Sequence, residues 1–207
     1  MIHCAKCGVY ACWKGDLERL PQDCPVRVHG DVYEQASSAY RGEAGNMACQ
    51  SARVEAGGYG VWPRVREVME FARLTGDTHL GLAFCVGLRR EALTVSKIFE
   101  SNGFTVSSAM CKTGARPKEE LGLREEDKVR PNQFEAMCNP VAQALLLNKA
   151  KTDLNVLLGL CVGHDTLFIK YSSAPITVLA VKDRATGHNP LAAIYAQHYF
   201  QSKLKIT

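Results

Sequence analysis

Four short apolar runs, at residues 80–84, 104–110, 155–160 and 176–181, punctuate the chain from residue 80 onward. Longer helix-compatible text separates them. The first interval holds residues 89–100, closed by Asn102 and Gly103; the second holds 139–149; the third holds a shorter piece around 166–171; and 190–201 reads as a closing helix. Alternating strand and helix predicts an α/β domain with a mostly parallel four-stranded sheet and helices on both faces. If the strand order is second, first, third, fourth, the first and third strands adjoin at the switch point.

Ahead of the sheet, residues 62–74 have helical spacing behind Pro63, and residues 29–56 are Ala-rich and helix-compatible up to Gly57, Gly58, Tyr59 and Gly60, which read as a hinge. Residues 1–28 hold few apolar runs. The pattern therefore divides the chain into a cysteine-rich segment over 1–28, a helical connector over 29–60 and the α/β domain over 61–207. Residues 112–130 are highly charged and read as a surface excursion.

Composition narrows the function classes. A chain of 207 residues, 46% hydrophobic, builds one well-buried domain plus a small appendage. The net charge of +4 is modest, and no run of Lys and Arg forms a phosphate-tracking stripe, so nucleic acid is not an expected partner. No secretory signal and no apolar stretch near the roughly 18–20 residues of a membrane span is present, so a soluble cytoplasmic protein is expected. Nine cysteines are unusual there. A reducing cytoplasm disfavours disulfides, which leaves metal ligands, nucleophiles or small buried hydrophobes.

Two groups of cysteines carry the candidate chemistry. In a parallel sheet the strand carboxyl ends share one edge, where loops and helix N-termini converge. Cys85 follows the first strand, Cys111 the second, Cys161 ends the third, and Cys138 precedes the helix that begins near Asn139 and Pro140. These four thiols are expected to converge as ligands of one metal centre. Free N–H groups at helix N-termini favour their thiolates, and Gly87 and Gly163 would let the backbone approach a cluster. Four dispersed ligands favour a 4Fe–4S cluster over zinc, whose four-cysteine sites mostly use paired Cys-x-x-Cys knuckles.

At the N-terminus, Cys4 and Cys7 form a Cys-x-x-Cys chelating pair that Cys12 and Cys24 can complete. The spacing matches neither common ferredoxin pattern nor a zinc ribbon, so zinc and an iron–sulfur cluster stand level. Metal would replace the core this segment lacks. Cys49 stands alone in helical text and reads as core.

Polar residues accompany the strand-end cysteines. His164 and Asp165 fall in the first turn after Cys161, and Lys182, Asp183 and Arg184 follow the last strand on the same edge, with His188 beyond. His164 could be a proton donor, a further ligand or a capping residue. His164, Asp165, Lys182 and Asp183 are the candidate catalytic residues, lining the approach to the centre.

The phrases Phe84-Cys85-Val86-Gly87-Leu88, Met110-Cys111-Lys112, Cys138-Asn139-Pro140, Gly159-Leu160-Cys161-Val162-Gly163-His164-Asp165 and Val181-Lys182-Asp183-Arg184, with Gly187-His188-Asn189-Pro190, resemble a prokaryotic family. It is catalogued as domain of unknown function 1847 and usually labelled metal-binding. With the N-terminal cysteines the resemblance runs along nearly the whole chain. It implies metal binding and names no reaction. A looser architectural similarity links the chain to quinolinate synthase and the 2-hydroxyacyl-CoA dehydratases, whose cluster cysteines also project from strand ends, although no motif matches theirs.

Two functions follow as expectations, with a thiol-nucleophile enzyme placed behind them because no single cysteine has a distinctive base beside it in sequence. One is an iron–sulfur protein whose strand-end cluster transfers electrons to a redox partner or activates a small-molecule substrate. The other is a non-enzymatic zinc protein acting as an interaction module or metal carrier.

Overall fold

A computed structural model describes residues 2–205, in two units, Met1–Gly57 and Gly58–Thr207. The first unit is built from short helices: α1 (Ala11–Lys14), α2 (Pro25–Val28), α3 (Gly30–Ala39) and α4 (Glu43–Gly58), with single 3₁₀ turns at Cys4–Lys6 and Leu17–Arg19. Within it Ala11 and Leu20 are buried, and Arg27 donates to the carbonyls of Leu20 and Glu18 at 3.0 and 2.8 Å. Helix α4 takes in Gly57 and Gly58 of the stretch read as a hinge and stops there, ahead of Gly60. Its buried positions are Gln50, Val54 and Gly58, each one turn apart, and Cys49 stands one residue off that stripe. Cys49 is therefore exposed, which corrects its reading as core.

The second unit opens with α5 (Arg64–Thr75), which begins directly behind Pro63 and ends at Gly76 in a left-handed conformation. The sheet follows: β1 (His79–Phe84), β2 (Thr105–Met110), β3 (Leu154–Leu158) and β4 (Ile176–Ala180), all parallel in the order β2-β1-β3-β4. Between the strands lie α6 (Arg89–Ser101), α7 (Pro140–Ala150) and α8 (His164–Tyr171). The four-stranded parallel α/β reading and its strand order hold.

Each central strand is buried on both faces, as a covered parallel sheet requires. On one face Leu80 and Leu82 of β1 and Leu154, Val156 and Leu158 of β3 pack with Val68, Met69 and Ala72 of α5 and Ala92, Val95 and Phe99 of α6. On the other, Ala83, Ala109 and Leu157 pack with Ala144 and Leu147 of α7 and Phe168 of α8. The β1-to-β2 connection moves one way along the sheet and the next two move the other way, so crossovers of a single hand must put α6 on the opposite face from α7 and α8. At the amino end Gly81 makes room for the buried amide of Asn155, since a Cβ there would lie 1.9 Å from its Oδ1.

The chain after β4 forms two helices, α9 (Leu191–Tyr195) and α10 (Gln197–Leu204), where one closing helix was expected. Ala196, at φ −100° and ψ 36°, leaves the helical region between them. Neither piece has a fully buried residue, so no core packing enforces a continuous helix. Among the described residues no helix is long and apolar enough to cross a membrane.

Candidate metal centre

Every β1, β2 and β3 chain end delivers a cysteine to the carboxyl edge. Cys85 and Cys111 are 6% and 2% exposed; Cys138 and Cys161 are half-buried. The Cys85 amide donates to Leu158 O at 3.1 Å and the Cys111 amide to Phe84 O at 2.9 Å, so both thiols leave the strands in register.

Cys138 reaches the same edge through the charged excursion. Its ends are tied where Asn139 N donates to Cys111 O at 2.7 Å, and it pairs with itself through Met137 N to Arg116 O at 2.8 Å. Lys118 meets Glu135 at 2.8 Å, and the buried Lys128 ammonium is held between Glu119 and Glu125. The excursion is thus a clasp closed at its base. Asn139 then caps α7, accepting from Ala142 N at 3.1 Å, with Pro140 in the first turn.

Beneath the thiols, the fully buried Gln143 of α7 donates from Nε2 to Phe84 O at 3.2 Å and Ala109 O at 2.6 Å, joining the ends of β1 and β2. At the end of β3, Gly159 takes φ +67°, and a Cβ there would lie 2.2 Å from Leu88 of the turn after Cys85. Only a glycine lets the two turns lie together.

Cys85, Cys111 and Cys138 pack together in the apolar cluster beneath the edge, with Cys111 near enough to the other two for each to shift the other's titration. The Val86 amide donates to Cys111 Sγ at 3.3 Å, and the Gly87 amide reaches Cys85. Hydrogen bonding from Cys111 holds the Cys85 thiol down at about 5 against the burial that opposes it, with Gly87 and Lys182 adding to the effect. Cys138 is held at about 4, first by Cys111 and then by His164 and Lys112. Cys111 is pushed far up, because it keeps its proton between two anionic neighbours. His164 is raised in turn by Cys138.

Cys161 stands differently. Its sulfur accepts from the Arg184 guanidinium at 3.3 Å, and it is absent from the packed cluster that holds the other three. Arg184 also feels the charges of Cys85 and Cys138. Of the four residues expected to line the approach, His164 lies against Cys138 and Lys182 against Cys85. Asp165 instead accepts from Thr166 N at 2.7 Å, and Asp183 accepts from Ala185 N and Thr186 N at 2.9 and 3.1 Å, so both carboxylates serve their own turns. Arg184, named in the sequence only as part of the charged Lys-Asp-Arg run after β4, joins the site, and so does Lys112, whose place directly after Cys111 was its one signal.

Gly163 takes φ +82° to open α8, and nothing lies within 4 Å of a Cβ there. Gly87 approaches the sulfurs as expected, a Cβ there lying 3.8 Å from Cys85 Sγ. Among the described residues, no three or more His, Cys, Asp or Glu side chains already surround a point that could hold a metal ion.

In the first unit Cys4, Cys7, Cys12 and Cys24 line one concavity of about 440 Å³, together with Trp13 and Leu20. Cys7 N donates to Cys4 O at 3.1 Å, closing the tight turn of the chelating pair.

Fold and edge together define an α/β protein whose parallel sheet presents grouped cysteines at its carboxyl end. The chain belongs to the family described as Protein of unknown function (DUF1847), whose model matches residues 24–179. It is 38% identical over 205 residues to the Uncharacterized protein MJ0455 of Methanocaldococcus jannaschii, covering 99% of each chain. No solved structure matches.

Proposed function

We propose that the strand-end cysteines supply the ligands of one metal–thiolate centre, an iron–sulfur cluster used for electron transfer or small-substrate activation. The observation that carries this reading is the packing of Cys85, Cys111 and Cys138 in one cluster at the carboxyl edge of the sheet. Three thiolates brought together there would repel one another, and a cation of high charge offsets that repulsion. The surroundings suit an anionic cluster. The Val86 and Gly87 amides donate to sulfur, and Lys112, His164, Lys182 and Arg184 supply positive charge. A bound cluster would contribute redox or Lewis-acid chemistry, and amide donation to its sulfurs would raise its potential. The concavity lined by Cys4, Cys7, Cys12 and Cys24 is proposed as a second metal site, of zinc or iron–sulfur type.

Iron, sulfide and zinc analysis of anaerobically prepared protein tests this reading. Brown protein with broad absorbance near about 400 nm is expected. A colourless protein with stoichiometric zinc would replace it by the zinc-carrier reading, and metal-free protein would refute both. The Cys138–His164 pair favours a different second reading, a thiol nucleophile with imidazolium beside it. That alternative requires Cys138 to be alkylated selectively in metal-replete protein.

A further inference from the structure

The four strand-end cysteines are not equivalent, and their differences divide them three to one. Cys85, Cys111 and Cys138 belong to one packed cluster with Ala144, Leu160 and Phe168. Cys85 and Cys111 are buried, so they form the floor of the edge. Cys161 is half-buried, its neighbour Val162 is 92% exposed, and its sulfur already accepts from the exposed side chain of Arg184. The Cys161 sulfur thus meets an exposed side chain at the rim, outside the cluster in which the other three pack.

We infer that the metal ligand set at this edge is Cys85, Cys111 and Cys138, and that Cys161 stays unligated beside the centre, leaving the remaining position to a group from outside the cysteine set. This rests on the metal-centre reading above and assigns the ligands within it. The local construction supports the division. The first three sulfurs are fixed by main-chain bonds at the ends of β1 and β2 and at the base of the clasp, where Asn139 N meets Cys111 O. Cys161 is placed by the turn into α8, where His164 N and Asp165 N both return to its own carbonyl, at 2.9 and 3.1 Å. It therefore faces the rim on which Arg184 stands. An incoming ligand would meet this sulfur and guanidinium before it reached the floor.

Differential alkylation of the native, metal-replete protein tests the assignment without any variant. Iodoacetamide at mildly alkaline pH, followed by peptide mass spectrometry, is expected to modify Cys161 and to spare Cys85, Cys111 and Cys138 until the metal is removed by a chelator. Metal analysis gives an independent arm. Cys161→Ser should keep the full metal content of this edge, whereas Cys111→Ser should lose it. Protection of Cys161 equal to that of the other three, or loss of metal in Cys161→Ser with an unchanged circular dichroism spectrum, would overturn the three-ligand set while leaving the metal centre standing. Absence of metal in the wild-type protein would overturn both.

Discussion

The Cys138 thiol and the His164 imidazole face each other across the first turns of two packed helices, α7 and α8, and each shifts the other toward its charged form. The direction of each effect sets a pH window. Cys138 is depressed from 9.0 to about 4, so its contribution to stability is complete above pH 9 and fades as pH falls toward 4. His164 is raised above 6.5, so its contribution is complete below that value and is lost as pH rises through the raised one. The pair is fully ionised between these limits.

In metal-free protein the alkylation rate of Cys138 should consequently stay nearly flat from about pH 6 to 8, where an ordinary thiol gains roughly tenfold per pH unit. His164→Gln should restore part of that slope by raising the thiol. A wild-type profile that climbs like that of a free thiol would show that the pair is not ionised.

Lys182 offers the second prediction, since its ammonium lies near Cys85 and stands 3.6 Å from where a Gly87 side chain would begin. Lys182→Met keeps the chain length and removes a positive charge that favours the thiolate, a change worth about 1.4 kcal/mol for each pKa unit it supplied. Metal affinity of the strand-end site should fall by roughly tenfold or more. Competition with a chromophoric chelator measures it, and an unchanged affinity would remove Lys182 from the site.

Gln143→Leu should act one layer below the sulfurs. Replacing the amide removes its bond to Ala109 O, while Phe84 O keeps the Cys111 amide as donor and the partnerless Gln143 Oε1 is lost as well, so the net cost is about 1 kcal/mol in unfolding free energy. Urea unfolding should show the loss with an unchanged denaturant slope. Equal stability of variant and wild type would mean that the bridge between β1 and β2 is energetically idle.

The N-terminal unit should depend on its metal. Its segment before α3 has Ala11 and Leu20 as its buried apolar residues, a small core for a stretch that carries four cysteines around one concavity. Cys7→Ser should release one metal site and make the chain before about residue 28 protease-sensitive while the α/β domain stays folded. An unchanged digestion pattern and metal content would count against it.

What the sequence determined by itself was periodic or local. The double-sided burial of β1 and β3 was written as apolar runs, the ends of α6 and α7 as Asn102-Gly103 and Asn139-Pro140, and the parallel direction of the strands followed from alternation of strand and helix, while their order was the fold's to decide. The placing of Cys85, Cys111, Cys138 and Cys161 at one edge was legible for the same reason, because each sits at a strand end or a helix start. Tertiary structure alone decided which side chains meet there. His164 finds Cys138, Arg184 finds Cys161 and Gln143 ties Phe84 to Ala109 across long separations in the chain, and no periodicity encodes such pairings. Asp165 and Asp183 show the converse. Their sequence positions put them beside the site, but a carboxylate that can accept from backbone amides one to three residues ahead does so, and those local bonds engage both in their own turns.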